Sequence, residues 1–80
     1  MMEPDNIKRM LEAALSDCQA EVSGDGRHFQ ALIISPEFEG KGLIQRHRMV
    51  NAILKAHFDT EVLHALSMRT LTPAENAGAQ

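Results

Sequence analysis

The sequence predicts a small α+β domain in which two main helices cover one face of a three-stranded mixed sheet. Three observations support this fold class. Apolar residues recur with the period of an α-helix over 7–15 and 43–57, whereas residues 18–23 and 29–35 have the patterns of strands. Asp25-Gly26 between the two strand segments is a strong hairpin signal. The order is α-β-β-α-β, and a right-handed crossover through the second helix makes the third strand parallel to the second.

The first helix is predicted from five apolar residues that share one face: Ile7, Met10, Leu11, Ala14 and Leu15. Pro4 suits the start of a helix. Ser16 and Asp17 are poor formers of helix interiors and favour an end there.

Two strands follow and are expected to form a hairpin. Cys18, Ala20 and Val22 point one way while polar residues point the other, which is typical of a half-buried strand. Residues 23–26, Ser-Gly-Asp-Gly, supply the turn. The second strand, residues 29–35, is rich in β-branched side chains.

A second helix is predicted over residues 43–57, because Leu43, His47, Val50 and Leu54 share a face. A third strand is predicted over residues 62–71, with four residues on one side: Val62, His64, Leu66 and Met68. Thr72-Pro73-Ala74-Glu75 has the pattern of a capping box and starts a short C-terminal helix, with Thr72 as the cap and Glu75 reaching back.

Length and composition restrict the classes of protein. Eighty residues (8.9 kDa) fit one domain, with a core of about residues 7–75, and a hydrophobic content of 44% excludes a disordered chain. The longest apolar run, residues 31–34, is far short of the ~20 residues that a membrane helix needs. Residues 1–5 have neither a basic start nor an apolar stretch, so no secretory signal is expected. A single cysteine, Cys18, predicts a reducing compartment and hence the cytoplasm.

The charge is unevenly distributed along the chain. The net charge is −3, from 8 Lys and Arg against 11 Asp and Glu, which argues against nucleic-acid binding by the whole surface. Residues 1–42 hold four basic and eight acidic residues, whereas the segment 41–55 has no acidic residue. Its four basic residues are either a phosphate-contacting patch or a solvated helix face: Lys41, Arg46, Arg48 and Lys55.

Four histidines in 80 residues suggest a metal site. His28 begins the second predicted strand and His64 lies near the start of the third, so both imidazoles are expected at the same edge if those strands are parallel neighbours. Imidazole binds zinc, copper and iron, but two imidazoles alone are an incomplete site that needs ligands from a partner. The simpler interpretation is one turn histidine and one strand histidine.

The remaining reactive side chains have structural interpretations. His47 lies in the apolar stripe of the second helix, and His57 suits the negative end of that helix. Cys18 lies on the inward side of the first strand and is interpreted as a small buried hydrophobe. Since no combination of nucleophile, base and acid stands out, the chain is not expected to be an enzyme.

Four motifs in order resemble the BolA family, over about residues 7–75. They are Gly26-Arg27-His28-Phe29, Phe38-x-Gly40-x5-Arg46-His47-Arg48-x-Val50-Asn51, His64-Ala65-Leu66-Ser67 and Thr70-x-Thr72-Pro73. The short turn at residues 23–26 is similar to the IbaG-like branch of that family. The resemblance implies a fold similar to class II KH domains.

The resemblance also implies a partner and a cofactor. Members of this family bind monothiol glutaredoxins of the CGFS type and share a 2Fe–2S cluster with a glutaredoxin cysteine and glutathione. His64 matches the family's C-terminal histidine ligand. The second ligand in other branches lies in a longer loop between the first two strands, and His28 is the nearest residue to it here. The expected function is a non-enzymatic adaptor in iron–sulfur trafficking or redox and stress regulation, monomeric alone and heterodimeric with its partner.

The alternative function is a nucleic-acid-binding transcriptional regulator that uses the surface formed by Lys41, Arg46, Arg48 and Lys55. KH-like topology and the regulatory roles of some family members support it. Gly40-Lys41-Gly42-Leu43 does not match the Gly-x-x-Gly clamp of KH domains.

Overall fold

Three strands and the helices between them form one layered unit. A computed structural model describes residues 3–58 and 60–78. Its elements are α1 (Pro4–Ala14), β1 (Gln19–Gly24), β2 (Phe29–Ile34), a 3₁₀ turn (Pro36–Phe38), α2 (Leu43–Lys55), α3 (Thr60–His64), β3 (Leu66–Leu71) and α4 (Pro73–Gly78). The sheet order is β1-β2-β3, with β1 antiparallel and β3 parallel to β2. The predicted α+β fold with a mixed sheet and a short last helix is confirmed.

The core lies between the two longest helices and one face of the sheet. Ile7 and Leu11 of α1 and Val50 and Leu54 of α2 are fully buried, and they pack in one cluster with the inward residues of the strands. The opposite face of the sheet carries exposed polar side chains: Glu21, Ser23, Gln30, Ser67 and Arg69. Both main helices therefore cover the same face, as the period-two patterns predicted.

The edge of β1 is closed by two side chains of α1. Lys8 Nζ donates to the carbonyl oxygen of Ala20 at 2.7 Å, and Ala20 N donates to Glu12 Oε2 at 3.1 Å. Lys8 and Glu12 also pair with each other at 2.7 Å, which raises the pKa of Lys8 and lowers the pKa of Glu12. Both backbone polar groups of Ala20 are therefore satisfied, and another strand cannot pair with the edge at this residue.

The third strand is shorter than predicted. Residues 60–64 form the one-turn helix α3 instead of the start of the strand, because Ala65 N donates to the Glu61 carbonyl oxygen at 3.1 Å. β3 begins only at Leu66, so the prediction that His64 lies on a strand face is wrong.

The predicted apolar stripe of α2 reaches the core only in its second half. Val50 and Leu54 are buried, whereas Leu43 at the first position of the helix is 65% exposed and Ile44 beside it is 67% exposed. The helix ends at Lys55, and His57 follows in a turn in which its N–H donates to the Leu54 carbonyl oxygen at 3.0 Å. None of the helices in the described ranges is long and apolar enough to cross a bilayer.

The hairpin turn leaves no room for a side chain at Gly24. A Cβ at this position would come within 2.8 Å of Phe29 Cδ1 and would also meet the His28 carbonyl oxygen. We expect Gly24→Ala to destabilise the domain by about 1–3 kcal/mol through overpacking. The measurement is the thermal unfolding midpoint by circular dichroism, with Gly78→Ala as control because nothing lies within 4 Å of a Cβ there. Equal midpoints for the two variants would contradict this assignment.

Candidate functional site

His28 and His64 lie at the same end of the parallel strand pair. Phe29 is paired with Leu66, and Phe29 N donates to the Ala65 carbonyl oxygen at 2.8 Å. His28 immediately precedes Phe29, and His64 lies two residues before Leu66, so both belong to the same end of the strand pair, which we call the histidine end (residues 28 and 64). Both histidine side chains are exposed. The predicted parallel pairing thus places both histidines at one end of the sheet, with His64 at the end of α3 and not on a strand.

A tight turn presents His28 to solvent. Asp25 Oδ1 accepts hydrogen bonds from the backbone N–H groups of Arg27 (2.8 Å) and His28 (2.9 Å). Asp25 N donates to the His28 carbonyl oxygen at 3.2 Å, and Gly26 has a φ of +94°, which favours glycine. The backbone bonds from His28 and Arg27 lower the pKa of Asp25. The ionised carboxylate therefore fixes the backbone conformation from which His28 projects.

His64 lines a groove between α2 and α3. We call it the α2–α3 groove; its volume is ≈ 350 Å³, and it is lined by Arg48, Asn51, Ala52, Lys55, Leu63 and His64. Among the residues that the structure describes, no carboxylate is part of this lining. In the sequence, His64 and the basic residues of α2 lie in different segments, and nothing there predicts that they line one groove. Their proximity depends on α3, which has no strong local signal in the sequence.

The single thiol lies at the other end of the sheet. Cys18 immediately precedes Gln19, which is paired with Ile34 at the end of β2 opposite to the histidine end. Burial is the main cause that raises the pKa of Cys18 to about 11. Its thiol is therefore protonated near neutral pH and is poorly suited to bind a metal as thiolate.

The other histidines do not extend the histidine end into a larger site. His47 is partly buried, and its Nε2 atom is enclosed without a hydrogen-bond partner among the described residues. This agrees with its interpretation as a packed residue of α2. Within residues 3–58 and 60–78, no group of three or more His, Cys, Asp or Glu side chains is arranged to hold a metal ion.

Arg46 is occupied by contacts within the domain. Its guanidinium donates to Glu75 Oε1 at 2.6 Å and Oε2 at 3.1 Å, and to the carbonyl oxygens of Thr70 (3.1 Å) and Lys41 (2.8 Å). The side chain is only 12% exposed and lies over the ring of Phe38. The prediction that four cations form one phosphate-contacting patch is therefore wrong for Arg46, because its guanidinium is already engaged within the domain.

The predicted capping box at the start of α4 is confirmed. Thr72 N donates to Glu75 Oε1 at 2.8 Å, and Glu75 N donates to Thr72 Oγ1 at 3.1 Å. The hydrogen bond from Arg46, with the backbone bond from Thr72, lowers the pKa of Glu75 to about 2. Glu75 thus caps α4 and binds Arg46 with the same carboxylate.

These features define a small α+β domain whose exposed imidazoles stand at one end of a parallel strand pair. The family model described as BolA-like protein matches residues 10–75, and the chain belongs to this family. This confirms the resemblance that the four sequence motifs indicated.

Relatives and solved structures agree with this assignment. Acid stress protein IbaG of Escherichia coli (strain K12) is 35% identical over 74 residues, which cover 92% of this chain and 88% of the relative. A bolA protein homologue from Coxiella burnetii has a TM-score of 0.83 at 38% identity, covering 96% of this chain and 99% of that chain. BolA1 from Arabidopsis thaliana has a TM-score of 0.76 at 30% identity, and the match covers 94% of this chain and 98% of that chain.

The depressed pKa of Glu75 predicts a loss of stability in acid. A carboxylate whose pKa is lower in the folded chain stabilises it fully above its ordinary value of 4.5, and this stabilisation is lost as the pH falls toward about 2. We expect Glu75→Gln to lower the unfolding midpoint at pH values above that window, with the difference from wild type shrinking inside it. Thermal unfolding followed by circular dichroism across this pH range is the measurement.

Glu39→Gln is the control for this titration, because Glu39 is exposed and forms no ion pair among the described residues. If Glu75→Gln lowers the unfolding midpoint by the same amount at every pH, the ionised form of the Glu75 carboxylate is not what stabilises the contact with Arg46.

Proposed function

We propose that this chain is a non-enzymatic adaptor that binds a monothiol glutaredoxin of the CGFS type and supplies imidazole ligands to a shared 2Fe–2S cluster. The observation that carries the proposal is the placement of exposed His28 and His64 at one end of the sheet. Neutral imidazole is a good ligand for iron and replaces thiolates in some 2Fe–2S centres. Membership of the BolA-like family supports this choice of partner.

The donor set fits a cluster that two chains hold together. His28 and His64 offer two imidazole nitrogens, and the described residues add no third donor beside them. Cys18 is at the opposite end of the sheet with a protonated thiol. The remaining ligands must then come from outside, which is the role that a glutaredoxin cysteine and glutathione would fill.

The chain's own residues determine how such a cluster is held. The Asp25 carboxylate fixes the turn that precedes the second strand, so His28 projects from an ordered backbone. His64 is the last residue of α3. The helix is closed by the hydrogen bond from Ala65 N to the Glu61 carbonyl oxygen, and β3 begins at the next residue. When bound, the cluster supplies the redox chemistry, and imidazole ligation raises its reduction potential relative to an all-thiolate site.

The biological role proposed is iron–sulfur trafficking or redox and stress regulation. The name of the Escherichia coli relative, an acid stress protein, supports a role in stress. The shielded single thiol is compatible with a reducing compartment, and we place the adaptor in the cytoplasm as part of this proposal.

The geometry gives less support to a nucleic-acid-binding regulator. Of the four cations predicted to contact phosphate, Arg46 is engaged with Glu75 and two carbonyl groups. Arg48 and Lys55 share one groove, and Lys41 is exposed before the start of α2. This leaves a smaller set of free cations than the sequence alone predicted.

Anaerobic reconstitution tests the adaptor function. The purified chain is mixed with a monothiol glutaredoxin, iron, sulfide and glutathione, and visible absorbance and circular dichroism are compared with those of glutaredoxin alone. We expect a one-to-one complex with a new spectrum. The spectrum should be lost in His64→Ala and altered in His28→Ala, since each variant removes one proposed iron ligand. Cys18→Ala is the matched control and should retain the wild-type spectrum.

Two results would count against the proposal in different ways. An unaltered spectrum in both histidine variants would remove the ligand assignment but leave the complex. If glutaredoxin keeps its own homodimer spectrum in the presence of this chain, the adaptor function itself is wrong.

A further inference from the structure

The α2–α3 groove places two cations on the same side of His64. Arg48 and Lys55 are seven residues apart on α2, so they face the same direction and are separated by about 10 Å along the helix axis. Asn51 and Ala52 lie between them on that face, and Leu63 with His64 forms the opposite wall. The groove thus combines two cations, one amide and two apolar side chains, and the proposed iron ligand His64 is part of its lining.

The two cations of this groove lie at the surface of the domain. Arg48 and Lys55 are exposed, and neither belongs to an ion pair among the described residues, whereas Lys8, Arg9 and Arg46 do. Glu61 of α3 is exposed but is not part of the groove lining. Among the described residues, the groove lining therefore carries two cations beside His64 and no carboxylate.

This local charge contrasts with the rest of the molecule. The chain has a net charge of −3, and residues 1–42 hold eight acidic against four basic residues. Because charges are screened over about 8 Å at physiological ionic strength, a partner in contact with the groove responds to the groove rather than to the net charge. Charge complementarity indicates an acidic occupant.

We infer that the α2–α3 groove receives an acidic segment of the protein partner, whose carboxylates lie against Arg48 and Lys55 and bring that partner beside His64. The inference rests on the proposed function, because it takes the glutaredoxin as the partner. It assigns docking to the two cations and metal ligation to the histidines. The two roles are therefore separable by mutation.

A protein segment suits this groove better than a nucleic acid. A duplex carries one phosphate charge per about 1.7 Å of its axis and is bound by several cations in a row. The groove offers two cations about 10 Å apart, and Arg46 on the same helix is committed to Glu75. Among the described residues its lining has no Phe, Tyr or Trp on which a base could stack, whereas Leu63 and Asn51 can contact a peptide.

Calorimetric titration of iron-free glutaredoxin into the full chain tests the inference. We expect Arg48→Glu/Lys55→Glu to weaken binding at least about tenfold, because each favourable charge contact becomes a repulsive one. The difference should diminish as the salt concentration rises from about 50 to about 300 mM. The matched control is Lys41→Glu/Arg69→Glu, which makes the same change in net charge at two exposed cations outside the groove. Its affinity should stay within about twofold of wild type.

Further variants separate this inference from the proposed function. His28→Ala, which lies outside the groove lining, should bind iron-free glutaredoxin like wild type while altering the cluster spectrum. If the groove variant and the control bind glutaredoxin equally, the groove inference is wrong although the shared cluster stands. If the wild-type chain binds no glutaredoxin, both proposals are wrong.

Two additional measurements complete the test. Arg48→Gln and Lys55→Gln remove one charge each and should each weaken binding by a smaller factor, so the result does not depend on the folding of the double variant. A DNA duplex is titrated into the same proteins. Loss of duplex binding in the groove variant, with glutaredoxin binding intact, would assign the groove to nucleic acid and overturn the inference.

Discussion

Four segments of the fold meet at the guanidinium group of Arg46. It donates hydrogen bonds to both oxygens of the Glu75 carboxylate and lies over the Phe38 ring. It also donates to the carbonyl oxygens of Thr70 and Lys41. The side chain thereby connects α2 to the end of β3, to α4 and to the loop after the 3₁₀ turn. Hydrogen bonds to charged groups stabilise more than neutral ones, and the rigid fork of arginine makes several at once. A lysine at this position could not reproduce the set.

This network closes one end of the sheet and leaves the other open. At the closed end, Ser35 N donates to the Leu71 carbonyl oxygen at 3.0 Å and Ser35 Oγ donates to that of Ser16 at 2.9 Å. At the open end, His28 and His64 are exposed beside the start of the same two strands. A domain of this size has few residues to spare for its core. The contacts of Arg46 and Ser35 are thus confined to one end of the sheet, and they leave both histidine side chains at the other end exposed.

Local signals in the sequence were enough for most of the fold. The hairpin follows from a period of two around Asp25-Gly26, and the capping box from the spacing of Thr72 and Glu75. The helix α3 was missed because the alternation of Val62, His64, Leu66 and Met68 continues through a segment that forms one helical turn. The contact between Arg46 and Glu75 joins residues 29 apart and exists only once the chain has folded. No periodic pattern of apolar residues in the sequence predicts the contact between Arg46 and Glu75.

The candidate site was predictable only where topology dictates it. The placement of His28 and His64 at one end of the strand pair follows from the rule that a strand–helix–strand crossover is right-handed and gives parallel strands. The meeting of His64 with Arg48 and Lys55 does not follow from that rule, because it depends on where α3 joins α2. The net charge of −3 likewise says little about this surface. Net charge affects solubility and long-range association, whereas a surface in contact with the α2–α3 groove responds mainly to the charges of the groove itself.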